Sequence, residues 1–468
     1  MAEKDTVVYP YIPNTAPANK EALMKAVGIT DDMELYKDIP EALRYKERLH
    51  VPEAMGDEYT VQRFVKSILA KNISTEDYTS FLGAGCDKHY TPAVCDEMIS
   101  RGEFLTAYFG ATTNDLGKWQ AIWEYQAQMS ELLDVDFIGF PQYDGSWALA
   151  HAFRMCKRIT GRKKILVPAS MSPENYRVAK NYLAGVTETY AELEKVAFDA
   201  ETGLMDLDDL KAKLGDDVAA VLVENPTFLG NIETQAKEIG ELAKAAGAEF
   251  IVYTLPISLG VMEAPANYGA TITVGDVHSL GCHVAAGGQM GGFVGLPADP
   301  KYLSQYKDLA VSVSPTIEDG EYSFVLFNFE EGSYGLRENA NEFTGTASNL
   351  WAIHTAVYLT IMGPQGMKEV GQTTMRRAQY AAEKLGAIPK IKLPFSSPFF
   401  EEFVVNFDES GLSVADINTK LRDYKILGGF DLSRDFPELG QSALYCFTEV
   451  TTQADIDALA AALKEILA

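Results

Sequence analysis

The feature that most constrains the fold is a repeated alternation of β-rich runs and helical stretches that starts near Phe137. Two of the intervening stretches, Leu210–Leu214 and Ala236–Ala246, have helical patterns. Strands that alternate with helices at this spacing predict a mainly parallel sheet with helices on both faces, that is, an α/β fold. Ligands of such sheets bind at the carboxyl ends of the strands. The β-rich runs are Ile165–Val167, Val218–Val223, Phe250–Thr254 and Thr271–Val274.

The flanking regions predict two further parts. Residues 1–80 are punctuated by prolines and contain the helical pattern Val61–Lys71, so we expect an N-terminal helical arm that packs on something else. We expect residues 81–350 to form the large α/β domain. Residues 351–468 combine a long helical pattern with shorter strand and helix patterns, which predicts a long helix and a small α+β C-terminal domain.

Charge and cysteine content exclude several classes of function. The 468 residues include 66 acidic and 40 basic side chains, for a formal net charge of −26. A surface this acidic argues against nucleic acid and anionic membranes as partners. No apolar run approaches the roughly 18 residues of a membrane span, and the N-terminus does not resemble a signal peptide. Five scattered cysteines without a CxxC pair argue against a disulfide framework. The sequence therefore predicts a cytoplasmic protein.

Polar residues at predicted strand ends are the first candidates for a site. Tyr143 and Asp144 follow the strand-like Phe137–Phe140 and open a helix. Asp144 is either an N-cap or a carboxylate that faces a substrate. A phosphate about 5 Å from it would be repelled by roughly 3 kcal/mol at an effective dielectric constant near 20. Asn225 ends another predicted strand, where it either binds a ligand or closes the turn before Pro226.

A histidine-containing segment raises the question of a metal. His278, Cys282 and His283 lie within six residues. Adjacent side chains point to opposite sides of a strand, and no further ligand cluster accompanies these three. The sequence therefore predicts no metal site, and His278 is either a polar contact in a cleft or a structural histidine.

A polar segment precedes the long C-terminal helical pattern. Thr344 or Thr346 could cap that helix. Arg337 could hold a carboxylate or a phosphate, or it could be an ordinary surface residue.

Taken in order, several short motifs resemble the alpha subunit (subunit 1) of the two-chain glycine decarboxylase, the P-protein of the glycine cleavage system. The resemblance covers almost the whole chain. Its motifs include Tyr11-Ile12-Pro13-Asn14, Phe81-Leu82-Gly83-Ala84-Gly85, His89-Tyr90, Tyr143-Asp144-Gly145, Asn225-Pro226, Gly363-Pro364-Gln365-Gly366 and Thr448-Glu449.

The resemblance implies an aspartate-aminotransferase-type fold, the type I fold of pyridoxal-phosphate (PLP) enzymes. It also implies a complex in which the partner beta subunit carries the PLP lysine, so that PLP is not bound covalently in this chain. The residues agree with this expectation. No lysine occurs between Phe250 and Pro300, and His278 lies near the lysine's expected place. Leu255 stands where a carboxylate would pair with the pyridinium nitrogen.

The family's activity sets the functional expectation. This chain would support decarboxylation of glycine and aminomethyl transfer to the lipoyl H-protein, as a subunit of glycine dehydrogenase that is inactive alone. An alternative is a diverged paralogue, acting as a stand-alone binding or regulatory protein or as an enzyme on another small amine or amino acid. Phe109–Asn114 and Ser172, which depart from the family's pattern, motivate that alternative. The residues expected to face the cleft are Tyr108, Tyr143, Asp144, Asn225, His278, Arg337 and Thr346.

Overall fold

The computed structural model describes residues 8–45, 47, 49–105, 112–185, 190–284, 290–327, 332–340, 342, 344 and 348–468. Two of the residues expected to face the cleft, Tyr108 and Thr346, lie outside these ranges. The chain divides into two compact units, Met1–Asn72 and Ile73–Ala468. The domain boundaries expected at residues 80 and 350 stay predictions.

The described residues of the first unit include two α-helices, α1 (Pro17–Val27) and α2 (Glu58–Leu69). Helix α1 begins at a proline and ends at Gly28, whose φ of 76° terminates the helix in the left-handed region. Asp57 caps α2 by accepting a hydrogen bond of 2.7 Å from the backbone N–H of Thr60. None of the residues that the structure describes in this unit is buried.

The second unit contains the remaining helices and all the strands of the described residues. The helices are α3 (Ala93–Ile99), α4 (Gly102–Leu105), α5 (Thr112–Leu133), α6 (Gly145–Thr160), α7 (Pro173–Leu183), α8 (Leu207–Lys213), α9 (Ala236–Ala245), α10 (Pro300–Leu303), α11 (Ser333–Leu336), α12 (Asn349–Gly386), α13 (Val414–Leu421) and α14 (Gln453–Ile466). The strands are β1 (Thr79–Ser80), β2 (Phe137–Ile138), β3 (Gln142–Asp144), β4 (Lys164–Pro168), β5 (Glu192–Val196), β6 (Val218–Asn225), β7 (Glu249–Thr254), β8 (Ile272–Asp276), β9 (Met290–Leu296), β10 (Ala310–Pro315), β11 (Tyr322–Phe327), β12 (Glu402–Asn406), β13 (Ile426–Leu427), β14 (Phe430–Asp431) and β15 (Ser442–Cys446).

An eight-stranded sheet forms the centre of the second unit. Its order is β2-β9-β8-β7-β6-β4-β5, and β3 also pairs with β9. The five strands from β8 to β5 are parallel, whereas β9 is antiparallel to its neighbours. Every residue of β6 is buried, as expected of a central strand covered on both faces. The prediction of a mainly parallel α/β sheet is confirmed.

Helices cover both faces of this sheet because alternate strand residues point in opposite directions. Ala220 and Leu222 of β6 share a core with Phe153 of α6. Val221, between them, packs in a second core with Ile239 of α9. The strands are thereby fixed from both sides, and their carboxyl ends form one edge.

The C-terminal part contains the expected long helix and a small antiparallel sheet. Helix α12 is broken at Gly363, whose φ of 55° and ψ of −179° are not helical, and Pro364 follows the break. The sheet has the order β12-β15-β14 and carries α13 and α14 in a shared core. Within the described residues, no helix combines the length and apolar character needed to cross a membrane.

Candidate functional site

A cavity of about 90 Å³ lies at the carboxyl edge of the central sheet. Its walls come from the ends of β6, β7 and β8, the loop after β1, and the residues that open β12. Leu255 and His278 both line the cavity, as the sequence predicts for residues near the sheet edge. The other lining residues are Ala84, Gly85, Asp87, Ser172, Asn175, Glu224, Pro226, Thr227, Phe228, Gly230, Tyr253, Asp276, Glu401 and Glu402.

The cavity is strongly acidic. Five of the described lining residues are carboxylates, and none is a lysine or an arginine. Burial raises the pKa of Glu224 to about 7 and the pKa of Glu402 to about 8. Burial also raises the pKa of Asp276. Such a cavity favours protons and cations and disfavours anions.

Glu224 is held in place by hydrogen bonds from α7. The backbone N–H of Ser172 donates to Glu224 Oε2 at 3.0 Å, and Asn175 Nδ2 donates to Glu224 Oε1 at 2.8 Å. Ser172 is also the N-cap of α7. Ser172, which departs from the family's pattern, therefore has a structural role here.

A second group of hydrogen bonds orders the end of β8. The Tyr253 hydroxyl donates to Asp276 Oδ2 at 2.8 Å, and the backbone N–H of His278 donates to Asp276 Oδ1 at 3.0 Å. His278 Nε2 lies 2.8 Å from the backbone oxygen of Asp87. Nδ1 of His278 has no hydrogen-bond partner within the described part of the chain. His278 is thus a buried histidine that also contacts the cavity.

Asp144 is the N-cap of α6. Its Oδ1 accepts a hydrogen bond of 2.7 Å from the backbone N–H of Trp147, and burial raises its pKa. The N-cap interpretation is confirmed. Tyr143 is 37% exposed, and its ring packs edge-on against Trp147 at 5.4 Å. Neither residue belongs to the cavity lining.

Asn225 closes a turn. Its Oδ1 accepts a hydrogen bond of 3.0 Å from the backbone N–H of Glu233, and its Nδ2 lies 3.5 Å from the Tyr268 hydroxyl. The sequence left two roles open for Asn225, binding a ligand or closing a turn, and these hydrogen bonds support the turn. The side chain of Arg337 is 75% exposed, with NH2 3.9 Å from Glu338, and it is not part of the lining.

The start of α12 differs from the sequence prediction, which offered Thr344 or Thr346 as the cap of this helix. The residue at the N-cap is Ser348, which makes no side-chain capping hydrogen bond. Thr344 does not cap the helix, because its buried hydroxyl instead donates to Gln142 Oε1 at 2.8 Å. Of the two caps that the sequence offered, Thr344 is therefore wrong, and Thr346 lies outside the described residues.

Cys282 and His283 have separate surroundings. Cys282 Sγ lies 3.9 Å from His354 Nδ1, whereas exposed His283 lies 2.9 Å from Asp96. These two side chains do not converge with His278 on one site.

A buried cluster beside the cavity was not predicted from the sequence. His89 Nε2 lies 3.2 Å from Asp87 Oδ2 and 3.6 Å from Glu401 Oε2, and His89 Nδ1 lies 2.7 Å from Glu449 Oε2. The only sequence signal is the Asp87-Lys88-His89 spacing, because Glu401 and Glu449 lie more than three hundred residues further along.

The residues of the cavity do not fit PLP. A PLP site needs a lysine to anchor the cofactor and donors to bind its phosphate. The described lining offers no lysine or arginine, and Leu255 cannot pair with a pyridinium nitrogen. The start of α6, a possible anion site, is already capped by the Asp144 carboxylate.

Comparison with solved structures defines the class of protein. The chain superposes with a TM-score of 0.86 on a crystal structure of glycine decarboxylase (P-protein) of the glycine cleavage system in inhibitor-bound form, at 29% identity, covering 98% of this chain and 100% of that one. A sphingosine-1-phosphate lyase of Burkholderia pseudomallei matches with a TM-score of 0.64 at 15% identity, which shows the fold alone. The fold is the type I fold of PLP enzymes.

The sequence comparisons identify the family. The family model for the glycine cleavage system P-protein matches residues 10–463, and the chain belongs to this family. It is 35% identical to a probable glycine dehydrogenase (decarboxylating) subunit 1 of Staphylothermus marinus, over 98% of both chains. It is 36% identical to the protein of the same name from Moorella thermoacetica, over 98% of this chain and 100% of that one.

Proposed function

We propose that this chain is the subunit of a cytoplasmic glycine decarboxylase that does not carry PLP. The PLP lysine would belong to a partner beta subunit. The observation that carries the proposal is an acidic sheet-edge cavity, without a lysine in its described lining, in a chain that matches the P-protein family over residues 10–463. Membership in the P-protein family accounts for the fold. The acidic cavity, which does not suit PLP, is the reason to place PLP on a partner chain.

The supported reaction breaks the bond between the glycine α-carbon and its carboxylate, which leaves as CO2. The remaining aminomethyl group passes to one sulfur of the oxidised lipoyl arm of an H-protein, whose S–S bond breaks and leaves the other sulfur as a thiol. No step of this chemistry is assigned to a residue of this chain. Its contribution would be to complete the assembled site, exclude water and position the incoming groups.

The first unit supplies a surface suited to such an assembly. Val61, Phe64, Val65 and Ile68 of α2 follow the i, i+3, i+4, i+7 spacing of one helix face. These side chains are 42–50% exposed. An apolar helix face without cover is costly in water, so we propose that it packs against the beta subunit.

The second unit would supply residues that face the shared cleft. Tyr143 is partly exposed and held against Trp147, so it can present a ring and a hydroxyl without large rearrangement. His278 is one of the residues that line the cavity. The cleft roles of Tyr108, Asn225, Arg337 and Thr346 stay predictions.

A reconstitution experiment tests the assembly. This chain, co-expressed with a beta-type subunit, should co-purify with it and release CO2 from carboxyl-labelled glycine when lipoyl H-protein is present. Each subunit alone is the matched control and should release far less. A complex that forms but fails with glycine while acting on another small amino acid would contradict the substrate assignment.

A trapping experiment tests the division of labour. The isolated chain, incubated with PLP and reduced with borohydride, should give no lysine adduct at its cavity, whereas the beta subunit should give one. The site of modification is read by peptide mass spectrometry, which separates surface lysines from the site. An adduct on a lysine at the sheet edge of this chain would overturn the proposal.

A further inference from the structure

The cluster of Asp87, His89 and Glu401 holds three acceptor atoms in one small, buried space. One ligand atom from each residue lies within 4.8 Å of the other two. All three residues are buried, and the His89 side chain is only 1% exposed. Asp87 Oδ2, His89 Nε2 and Glu401 Oε2 have no hydrogen-bond partner among the residues that the structure describes. Buried polar atoms without partners are costly, and here three of them converge.

The hydrogen bond to Glu449 decides which nitrogen of His89 is available. Glu449 Oε2 lies 2.7 Å from His89 Nδ1, and Glu449 Oε1 accepts 2.7 Å from the backbone N–H of Tyr90. This arrangement assigns a proton to His89 Nδ1, because a carboxylate can only accept. Nε2 therefore directs either a lone pair or a second proton at Asp87 and Glu401.

A second proton on His89, directed at Asp87, satisfies the cluster only if Glu401 also keeps a proton, which burial favours by raising the pKa of Glu401. One N–H can point at one oxygen, but the two candidate oxygens lie 3.2 and 3.6 Å away on different residues. A lone pair on Nε2 would leave three acceptors facing one another. A bound cation satisfies all three atoms at once, because each of them is a metal ligand when deprotonated.

Two of the three distances between the ligand atoms match those around a small metal ion. A tetrahedral ion with bonds of about 2.1 Å separates its ligand atoms by roughly 3.4 Å. The two distances from His89 Nε2 lie on either side of that value. Glu449 occupies the place of the carboxylate that commonly orients a metal-bound histidine through its other nitrogen.

The fold holds the ligands in this arrangement. Glu402 of β12 pairs with Cys446 of β15, and the backbone N–H of Phe447 donates to the backbone oxygen of Glu401 at 2.9 Å. The loop that carries Asp87 and His89 is attached next to the same sheet. The hydroxyl of Thr448, which follows β15, donates to the backbone oxygen of Lys88 at 2.5 Å. The ligands therefore converge without any movement of the chain.

We propose that Asp87, His89 and Glu401 bind a divalent transition-metal ion, with Glu449 as the residue that positions His89. One imidazole nitrogen and two carboxylate oxygens suit Zn²⁺ or Mn²⁺ better than Mg²⁺ or Ca²⁺, which prefer oxygen ligands alone. Asp87 and Glu401 also line the cavity, so the ion would lie in the cavity wall and offset part of its negative charge. The site goes beyond the proposed function and differs from the sequence prediction of no metal, because its ligands come from opposite ends of the chain.

The test uses the full chain with Zn²⁺ as the probe. After chelator treatment and dialysis, the protein should bind about one Zn²⁺ per chain with a dissociation constant below about 1 μM, in the presence of excess Mg²⁺. Anomalous scattering at the zinc edge from a wild-type crystal should place the ion within bonding distance of His89 Nε2. A wild-type chain that binds no zinc, or binds it elsewhere, overturns the proposal without any variant.

Variants sharpen the assignment. His89→Gln should weaken zinc binding by at least about 100-fold, and Glu449→Gln by about 10-fold or more. The matched control is His283→Gln, which removes an exposed histidine beside Asp96 and should leave affinity unchanged. Circular dichroism checks that each variant is folded. Unchanged affinity in a folded His89→Gln variant, or loss of affinity in the control, would overturn the proposal.

Discussion

The two units of the chain depart from the usual distribution of polar and apolar residues in opposite ways. The first unit exposes apolar side chains, including the face of α2, and none of its described residues is buried. The second unit has large closed cores, yet it buries carboxylates such as Glu224 and Glu401 around one cavity. Folded chains normally place apolar groups inside and charges outside. We propose that each departure reflects a need that the chain does not meet alone: a partner surface in the first unit, and a proton or cation in the second.

The apolar face of α2 gives the largest expected effect. Phe64→Ser combined with Ile68→Ser should weaken the complex with the beta subunit by at least about 100-fold, because buried interface anchors contribute about 2 kcal/mol or more each. Affinity is measured by titrating the labelled chain with the beta subunit. The control on the same helix, Gln62→Ser with Lys66→Ser, should bind normally. Equal affinity for all three proteins would show that this face does not carry the interface.

The next largest effect is the loss of stability expected when Gly230, in the cavity wall, is replaced. Gly230 has a φ of +92°, and an added Cβ would lie 2.0 Å from the backbone oxygen of Glu402. Gly230→Ala should lower the free energy of unfolding by about 3 kcal/mol or more, since backbone must shift to relieve the contact. Gly161→Ala, at a φ of +71° with nothing within 4 Å, should cost only about 1 kcal/mol. Denaturant titration measures both, and equal losses would contradict the packing described at the cavity.

The buried carboxylates predict a dependence of stability on pH. The pKa of Glu224 is about 7 in the folded chain, above its ordinary value of 4.5. The folded state therefore holds its proton more tightly than the unfolded state, and stability falls as pH rises from about 5 to about 8. A shift of this size corresponds to about 3 kcal/mol at most. Glu224→Gln should flatten this part of the stability curve, whereas Glu238→Gln, which removes an exposed charge, should not. Parallel curves for the wild type and both variants would contradict this prediction.

The smallest effect is expected from adding a lysine to the cavity, because this change should not create a PLP site. His278→Lys places an amine in the cavity, but the surrounding carboxylates keep it protonated and thus not nucleophilic. Borohydride trapping with PLP should therefore remain negative at residue 278. The beta subunit is the positive control. A trapped adduct at this position would show that the missing lysine alone separates this cavity from a PLP site.

Much of the central sheet could be predicted, but strands β3, β5 and β9 were not. The apolar run Val218–Val223 predicts β6, which the structure extends to Asn225. Strand β9 gave no signal because its sequence, from Met290 to Leu296, contains three glycines that weaken the strand pattern. The tertiary structure explains one of them, since a Cβ on Gly292 would lie 2.1 Å from the backbone oxygen of Asp144.

The candidate site was only partly predictable. Leu255 and His278 follow predicted strands, so the rule for sheet edges places them correctly at the cavity. Glu224 also ends a predicted strand, but its near-neutral pKa depends on burial and cannot be read from the sequence. Asp144 and Asn225 each had two possible roles in the sequence. Their hydrogen bonds to nearby backbone N–H groups decide between these roles, and only the structure shows those bonds.

The sequence by itself determined the fold class, the family and the lack of a lysine at the expected place, because these depend on local pattern and on residue identity. Only the tertiary structure decided which charges meet. His89 and Glu449 are 360 positions apart in the chain, yet 2.7 Å separates their side chains. Contacts of this kind arise when strands distant in sequence pair in one sheet, and no local periodicity records that pairing.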